Sequence, residues 1–144
     1  VVRTWRGSPP DPTTEVSGVG WREASMWLPY QRSTFVSPAF AGYVSGHSAF
    51  SRAAADVLAA ATGSEFFPNG MFTHLVPAGL LQHEEGPSVD IELQWATYGD
   101  AADEAGESRR YGGIHVAADD VAGRGLGAEV ATLVWSEAQT YFGD

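Results

Sequence analysis

The feature that most restricts the fold is an Ala-rich segment from Ser48 to Thr62. Apolar residues recur there at helical spacing, and Gly63 follows the last of them directly. The pattern predicts a helix over these residues, with Phe50 and Leu58 on its apolar face. Alternation of apolar and polar residues, which indicates a half-buried strand, is nearly absent from the rest of the chain. We therefore expect an all-α fold.

Two further helices are predicted downstream. One runs from Ser88 to about Glu107, and the other follows the Gly112-Gly113 pair and ends near Phe142. The apolar residues assigned to the last helix include Val121, Leu126, Val130, Leu133, Val134 and Trp135. Residues 64–87 are predicted to form a long loop because they contain several Pro and Gly breakers. Residues 1–40, also rich in Pro and Gly, are predicted to be an irregular covering segment, so the helices belong to 41–144.

Charge and composition exclude several classes of function. The 144 residues make one domain's worth of chain, and 18 acidic residues against 8 basic ones give a net charge of −10. Such a chain is repelled by a phosphate backbone, so we expect no nucleic-acid partner. The absence of Cys removes disulfides, thiolate metal sites and thiol nucleophiles. No apolar stretch approaches the roughly 18–20 residues of a spanning helix, so we expect no membrane span.

The first candidate site is Ser45-Gly46-His47, immediately before the Ala-rich helix. A helix N-terminus presents unpaired backbone N–H groups and the positive end of the helix dipole, which together attract anions. Gly46 lets the backbone approach a ligand closely, and His47 places a titratable group beside that ligand. By itself, however, the motif is more typical of an ordinary helix cap in which His47 has no chemical role.

The second candidate site surrounds the Gly112-Gly113 pair. Arg109 and His115 are six residues apart, so one unbroken helix would turn them away from each other by about 120°. The glycine pair supplies a break that can return both side chains to one site. His115 and Asp119 are four apart, which stacks them on one helical face and lets the carboxylate fix the ring nitrogen that faces a ligand. The alternative is an exposed arginine pair beside a structural His-Asp contact.

Together, the two segments contain the groups that an oxyanion site requires. A guanidinium, a helix N-terminus, a Ser hydroxyl and two histidines can form a cradle for a tetrahedral or trigonal-bipyramidal oxyanion. One His would face the central atom as a nucleophile or ligand. The other would handle the proton of an apical oxygen.

These motifs resemble those of a known superfamily. Ser45-Gly46-His47 and Ser108-Arg109-x5-His115-x3-Asp119 are similar to two signatures of the type 2 phosphatidic acid phosphatases and vanadium-dependent haloperoxidases. The soluble bacterial haloperoxidase-related branch is the most similar, and the resemblance covers most of the chain from about Trp21 onward. The segments that carry this likeness are Trp27–Gln31, Thr34–Tyr43, Gln94–Tyr98 and Tyr111–His115. The resemblance implies a helical bundle of the haloperoxidase/acid-phosphatase type.

The resemblance also implies chemical roles for the two histidines. His115 would be the axial vanadium ligand or, in a phosphatase, the nucleophile that accepts the phosphoryl group. Asp119 would orient His115. His47 would be the acid–base residue at the apical oxygen.

The remaining matched residues would bind the oxyanion itself. Ser45, the Gly46 N–H and Arg109 would contact the equatorial oxygens of vanadate, the implied cofactor, and phosphate can occupy the same site. Arg110 is one residue off the motif spacing and is expected either at the surface or behind the residues that contact the oxyanion. The implied activity is that of an oxidoreductase, a peroxidase that oxidises halide with hydrogen peroxide. Homo-oligomers are common in the family.

One signature of the family is missing from this chain. The family places a Lys and an Arg-Pro dipeptide N-terminal to the segments described above, and both cations help to neutralise the oxyanion. All eight basic residues here are Arg, and none precedes Pro. We therefore expect residues 1–144 to be the C-terminal part of a single helical domain whose upstream part completes the site. Two other hypotheses remain: an acid phosphatase with a His nucleophile acting on a phosphate ester, and a catalytically silent structural subunit.

Overall fold

A computed structural model describes residues 1–31, 39–81 and 84–142 of the protein and places three helices and four short strands in them. In chain order these elements are β1 (Val2–Trp5), β2 (Val19–Arg22), a 3-10 turn (Ala24–Met26), α1 (Gly46–Thr62), β3 (Phe72–Val76), β4 (Ile91–Trp95), α2 (Tyr98–Tyr111) and α3 (Ala117–Phe142). Positions 34–38 of the motif-bearing segment Thr34–Tyr43 lie outside the described residues.

The helix predicted from the Ala-rich segment is confirmed as α1. Ser45 caps its N-terminus by accepting a hydrogen bond from the Ser48 N–H, and Gly63 ends it in the left-handed conformation at φ 70°. The predicted apolar face, however, is wrong. Phe50 is 80% exposed, whereas Ser48 and Ala55 are the buried residues of the helix. Small residues therefore form the contact surface of α1.

The second predicted helix is only half correct, because its first part is the strand β4. Residues 91–95 alternate apolar and polar side chains, which is a strand pattern too short to stand out beside the helical signal that follows. Thr97 then starts α2 with a capping box: its hydroxyl accepts from the Asp100 N–H at 2.9 Å, and the Asp100 carboxylate accepts from the Thr97 N–H at 2.9 Å. This reciprocal pair fixes where the strand ends and the helix begins.

Glycines bring α3 close to α1. A Cβ at Gly123 would lie 2.6 Å from the main-chain oxygen of Ser45, and one at Gly127 would overlap the main-chain oxygen of Ala49. The contact face of α3 therefore consists of Gly123, Gly127 and the buried Ala131. Most of the large apolar residues of this helix are exposed: Val121, Leu126, Val130, Leu133 and Val134.

Two small sheets correct the all-α prediction. β1 pairs antiparallel with β2, with Trp5 opposite Val19, so the first 40 residues are not wholly irregular. β3 pairs with β4 in the second sheet, and β3 lies within the predicted loop. Strands of four or five residues carry too little periodicity to be recognised, whereas the helical-bundle character of the fold is as expected.

The chain divides into two compact units, residues 1–37 with 73–93 and residues 38–72 with 94–144. A carboxylate organises the first unit. Glu84 is only 8% exposed and accepts hydrogen bonds from the Trp5 indole at 3.4 Å, the Ser17 N–H at 3.0 Å and the Tyr30 hydroxyl at 3.2 Å. Burial, together with the charge of Glu84, raises the pKa of Tyr30 to about 12.

The second unit contains all the candidate site residues. Its core forms where Ala55 of α1 meets Tyr98 and Ala102 of α2, with Phe67 packed edge-on against Tyr98 at a ring-centroid distance of 4.7 Å. α1 contacts both α2 and α3, so it is the central helix of this unit. In the described residues, no helix is both long enough and apolar enough to cross a membrane.

Candidate functional site

The N-terminus of α1 forms one side of the candidate site. Ser45 is fully buried, and its hydroxyl oxygen accepts the Ser48 N–H at 3.3 Å. The first amides of a helix have no carbonyl partner within the helix, and Ser45 satisfies only one of them. A Cβ built on Gly46 would meet no atom within 4 Å, so open space adjoins the backbone at this point. An anion can therefore approach the first turn of α1 without a steric obstacle.

His115 and Asp119 form the opposite side. The Nδ1 atom of His115 lies 3.1 Å from Oδ2 of Asp119, and the two side chains are only 6% and 14% exposed. The same carboxylate oxygen accepts the Val116 N–H at 3.3 Å. The contact expected from the four-residue spacing is therefore present, at the turn where α3 begins.

This contact determines which nitrogen of His115 is available for chemistry. A carboxylate accepts hydrogen bonds, so the Nδ1 atom facing Asp119 carries the proton. In the neutral ring the lone pair then resides on Nε2. A lone pair on a largely buried imidazole nitrogen is what a nucleophile or a metal ligand requires.

A main-chain hydrogen bond joins the two sides of the site. The Ser45 N–H donates to the main-chain oxygen of Asp119 at 2.9 Å. Gly42 also lies here, since a Cβ at this position would be 3.3 Å from Oδ2 of Asp119. The two sequence motifs, more than sixty positions apart in the chain, therefore meet directly at their Ser and Asp members.

Arg109 and His47 belong to the same neighbourhood. His47 is exposed overall, but the partial desolvation of its ring lowers its pKa from the usual value, and the positive charges of Arg109 and His115 lower it further. The charges of both residues thus act on the His47 ring, and this coupling links the two motifs electrostatically. Arg109 donates through Nε to the Ser108 hydroxyl at 3.1 Å and has no carboxylate ion-pair partner in the described parts of the chain. Its guanidinium therefore has donors left for an anion.

The Gly112-Gly113 pair interrupts the helix between Arg109 and His115. α2 ends at Tyr111, Gly113 adopts a φ of +73°, and the Ile114 N–H donates to the main-chain oxygen of Arg109 at 3.1 Å. The helix thus ends at the glycine pair, before α3 begins. Arg110 is exposed and pairs with Glu107, consistent with its expected place outside the motif.

Sequence reasoning missed a charged cluster behind the site, built around the buried residues Ser48 and Asp120, which we name the Asp120 cluster: Ser48, Asp103, Asp120 and Arg124. Asp120 is 2% exposed and accepts the Ser48 hydroxyl at 2.7 Å. Arg124 binds both carboxylate oxygens of Asp120 and also lies 2.7 Å from Oδ2 of Asp103. The four-residue spacing of Asp120 and Arg124 was the available signal, but it is equally typical of an exposed helical ion pair.

The whole chain, residues 1–144, matches the family described as the VCPO second helical-bundle domain. The chain belongs to this haloperoxidase family. The superfamily expected from the Ser-Gly-His and Ser-Arg-x5-His motifs is thereby confirmed. A comparison of this family member with curated proteins finds no match.

Two solved structures share the fold of this haloperoxidase-family chain, the apo-type and holo-type bacterial vanadium-dependent chloroperoxidases. The apo-type structure aligns with a TM-score of 0.78 at 22% sequence identity, and the holo-type structure with 0.77 at 20%. In both cases the match covers 96% of this chain and 27% of that chain. The family member therefore spans about a quarter of the length of these proteins, and at this identity the likeness establishes the fold alone.

Proposed function

We propose that this chain supplies part of the vanadate site of a haloperoxidase that oxidises halide with hydrogen peroxide. The observation that carries the proposal is the His115–Asp119 hydrogen bond of 3.1 Å, because it leaves a lone pair on Nε2 of a largely buried imidazole. His115 would hold vanadium through Nε2. Ser45, the Gly46 N–H and Arg109 would contact the vanadate oxygens.

The donor set fits an oxyanion better than a bare metal cation. A helix N-terminus, a hydroxyl and a guanidinium all donate hydrogen bonds, which suits oxygen atoms carrying negative charge. Divalent cations instead require several carboxylate or imidazole ligands. In the described part of the chain, no group of three or more His, Cys, Asp or Glu side chains could hold a metal ion. The open space beside Gly46 leaves room for the oxyanion.

His47 is suited to proton transfer in such a site. Its lowered pKa keeps the ring mostly neutral near pH 7, so one ring nitrogen can accept a proton from an oxygen bound nearby. When bound, vanadate would supply the Lewis acidity that activates hydrogen peroxide towards halide. Arg109 would balance the negative charge of the oxyanion, and Asp119 would keep the His115 lone pair directed at it.

The charge of the site points to a contribution from outside these residues. Vanadate and phosphate carry more negative charge than one guanidinium balances, and this chain contains no Lys. We propose that the rest of the natural protein supplies the remaining cations. The 144 residues alone should then bind inorganic phosphate or vanadate more weakly than the natural protein, since each missing charge-assisted contact removes about 1.5–3 kcal/mol.

The acid phosphatase is the second candidate, because the same geometry supports it. A neutral His115 with its lone pair on Nε2 can attack phosphorus directly, and Asp119 would stabilise the cation that forms. His47 would then deliver a proton to the leaving alcohol of the phosphate ester. The two activities differ in how they respond to vanadate, which one requires and which inhibits the other.

The test compares His115→Ala with His74→Ala in the natural protein. His74 is an exposed histidine on β3 and serves as the matched control. We expect bromination of a dye with peroxide and bromide to require added vanadate, to disappear in H115A and to persist in H74A, with the helical circular dichroism signal retained. Hydrolysis of p-nitrophenyl phosphate that vanadate inhibits would assign the phosphatase instead. Unchanged turnover in H115A, or no activity and no oxyanion binding at all, would overturn both.

A further inference from the structure

We infer that Asp120 and Ser48 are positioning residues for the oxyanion site, and this inference rests on the proposed function. Neither residue belongs to the motifs that define the site. Both lie directly behind it: Ser48 is one helical turn after Ser45, and Asp120 follows Asp119 in the chain. Their 2.7 Å hydrogen bond therefore runs beside the main-chain bond that joins Ser45 to Asp119.

The Asp120 cluster links the three helices that carry the site. Ser48 anchors it to α1, and Asp120 and Arg124 to α3. Arg124 reaches α2, where Nη1 lies 2.7 Å from Oδ2 of Asp103 and Nη2 donates to the Asp103 main-chain oxygen at 3.1 Å. Arg109, the oxyanion contact on α2, is fewer than two helical turns from Asp103. One cluster thus fixes the elements that bear Ser45, Arg109 and His115.

The packing around the cluster leaves little freedom. A Cβ at Gly106 would lie 2.9 Å from the Ser48 hydroxyl oxygen and would overlap Oδ1 of Asp120. A Cβ at Gly123 would lie 2.9 Å from Cβ of Ser48. Because Gly106 of α2 and Gly123 of α3 have no side chains, α2 packs directly against Ser48 and Asp120, and α3 packs directly against Ser48. The hydrogen bonds of the Asp120 cluster can therefore set the distance between the helices as well as their register.

A buried carboxylate is an inefficient way to hold helices together if stability alone is required. Removing a charge from water costs several kcal/mol, and well-packed apolar residues of similar volume are often equally stabilising. Directional hydrogen bonds, in contrast, fix geometry to within a few tenths of an ångström. Asp120 uses both oxygens and makes three such bonds, two of them to Arg124. Its contribution is therefore to the geometry of the site.

The test uses Ser48→Ala and Asp120→Asn, with Asp56→Asn as a matched control. Asp56 also pairs with an Arg four residues away, but that pair with Arg52 lies within α1 and is about a third exposed. Two quantities are measured in each variant: the affinity for inorganic phosphate by titration calorimetry, and the nitrogen chemical shifts of His115 in ligand-free protein labelled at histidine.

We expect S48A to bind phosphate about fivefold more weakly, the equivalent of one net hydrogen bond, and D120N more weakly still. Their His115 shifts should move towards a mixture of the two tautomers, because Asp119 is no longer held against Nδ1. D56N should change neither quantity. Should D120N fail to fold, S48A carries the test, since it retains the Asp120–Arg124 pair.

Two negative results are distinguishable. Loss of stability in S48A and D120N with unchanged phosphate affinity and His115 shifts would make the cluster purely structural and overturn the inference. If the wild-type protein binds no phosphate or vanadate, the proposed function fails instead. In that case the nitrogen chemical shifts of His115 still show whether Ser48 and Asp120 position the His115 ring, because these shifts are measured in ligand-free protein.

Discussion

The main-chain N–H of Ser45 donates a 2.9 Å hydrogen bond to the main-chain oxygen of Asp119. This bond places the cap of α1 against the first turn of α3, and neither partner uses its side chain to make it. The side chains therefore remain available: the Ser45 hydroxyl caps α1, and the Asp119 carboxylate holds His115. A substitution of either side chain therefore leaves this main-chain hydrogen bond between α1 and α3 in place, and its effect on ligand binding reports the role of the side chain itself.

Asp119→Ala is expected to weaken the site without separating the helices. Losing the acceptor for Nδ1–H frees His115 to adopt the other tautomer, and partners of this kind typically contribute about 10–100-fold to ligand affinity or activity. Vanadate affinity and turnover should fall by that order, while the free energy of unfolding changes little. Glu129→Ala, at an exposed acid on α3, is the control and should behave as wild type. Equal vanadate affinity in D119A would remove Asp119 from the site.

Arg109→Gln is expected to raise the pKa of His47. Burial and the charges of Arg109 and His115 hold that pKa below 6.5, so removing one cation relieves part of the repulsion of the protonated ring. A titration of the His47 ring proton by NMR measures the change directly. The same variant should bind vanadate at least about tenfold more weakly, since a charge-assisted contact is lost. Arg110→Gln, one residue along, should leave both quantities unaltered, and a fixed His47 pKa in R109Q would place Arg109 away from it.

The local structure of the two motifs could be predicted from the sequence, because it depends on residues that are close together in the chain. A Ser-Gly-His segment before an Ala-rich run predicts a helix cap, and a four-residue His-Asp spacing predicts a contact; both are present. The glycine pair also ends α2 before His115, as predicted. These features depend on fewer than a dozen consecutive residues each, so no knowledge of the tertiary structure is needed.

The packing could not be predicted in the same way. α3 contains many large apolar residues, yet it contacts α1 through Gly123 and Gly127. Buried carboxylates such as Asp120 also contradict composition-based expectation, because acidic residues are rarely buried unless they are paired. Only the tertiary structure brings Ser48 of α1 to Asp120 and Asp103 of α2 to Arg124.

The Asp120 cluster predicts a specific dependence of stability on pH. Burial by itself raises the pKa of Asp120, but hydrogen bonds from Arg124 and Ser48 and the guanidinium charge outweigh it, so the pKa lies below 3.8. A carboxyl whose folded pKa is lowered contributes stability that is complete well above 3.8 and is lost as the pH falls below it. Urea unfolding from pH 7 to pH 2 should therefore show a smaller acid-induced loss in Asp120→Asn.

Arg124→Gln provides the complementary measurement. Without its cation the pKa of Asp120 should rise towards or above 3.8, so this carboxyl should contribute a smaller loss of stability in acid than in wild type. At pH 7, D120N should be less stable by about 2–4 kcal/mol, because it leaves Arg124 without its buried partner. Parallel pH profiles for wild type and D120N would show that the folded and unfolded states bind protons equally at this carboxyl.

Three glycines of α3 predict opposite responses to the same substitution. Gly127→Ala introduces a Cβ that overlaps the main-chain oxygen of Ala49. The Cβ of Gly123→Ala would lie 2.6 Å from the main-chain oxygen of Ser45. Each should destabilise the fold by about 1–3 kcal/mol, since backbone atoms must move apart to accommodate it. A Cβ at Gly125 meets no atom within 4 Å. G125A should instead stabilise by up to about 1 kcal/mol, the usual gain on replacing Gly within a helix.

Thermal and urea unfolding of the three variants measure these differences. Because Gly123 adjoins Ser45, G123A should also weaken phosphate binding, whereas G127A, one turn further from the site, should affect mainly stability. If G123A and G127A are as stable as G125A, then α1 and α3 are not in close contact, and the joint between Ser45 and Asp119 cannot depend on these glycines.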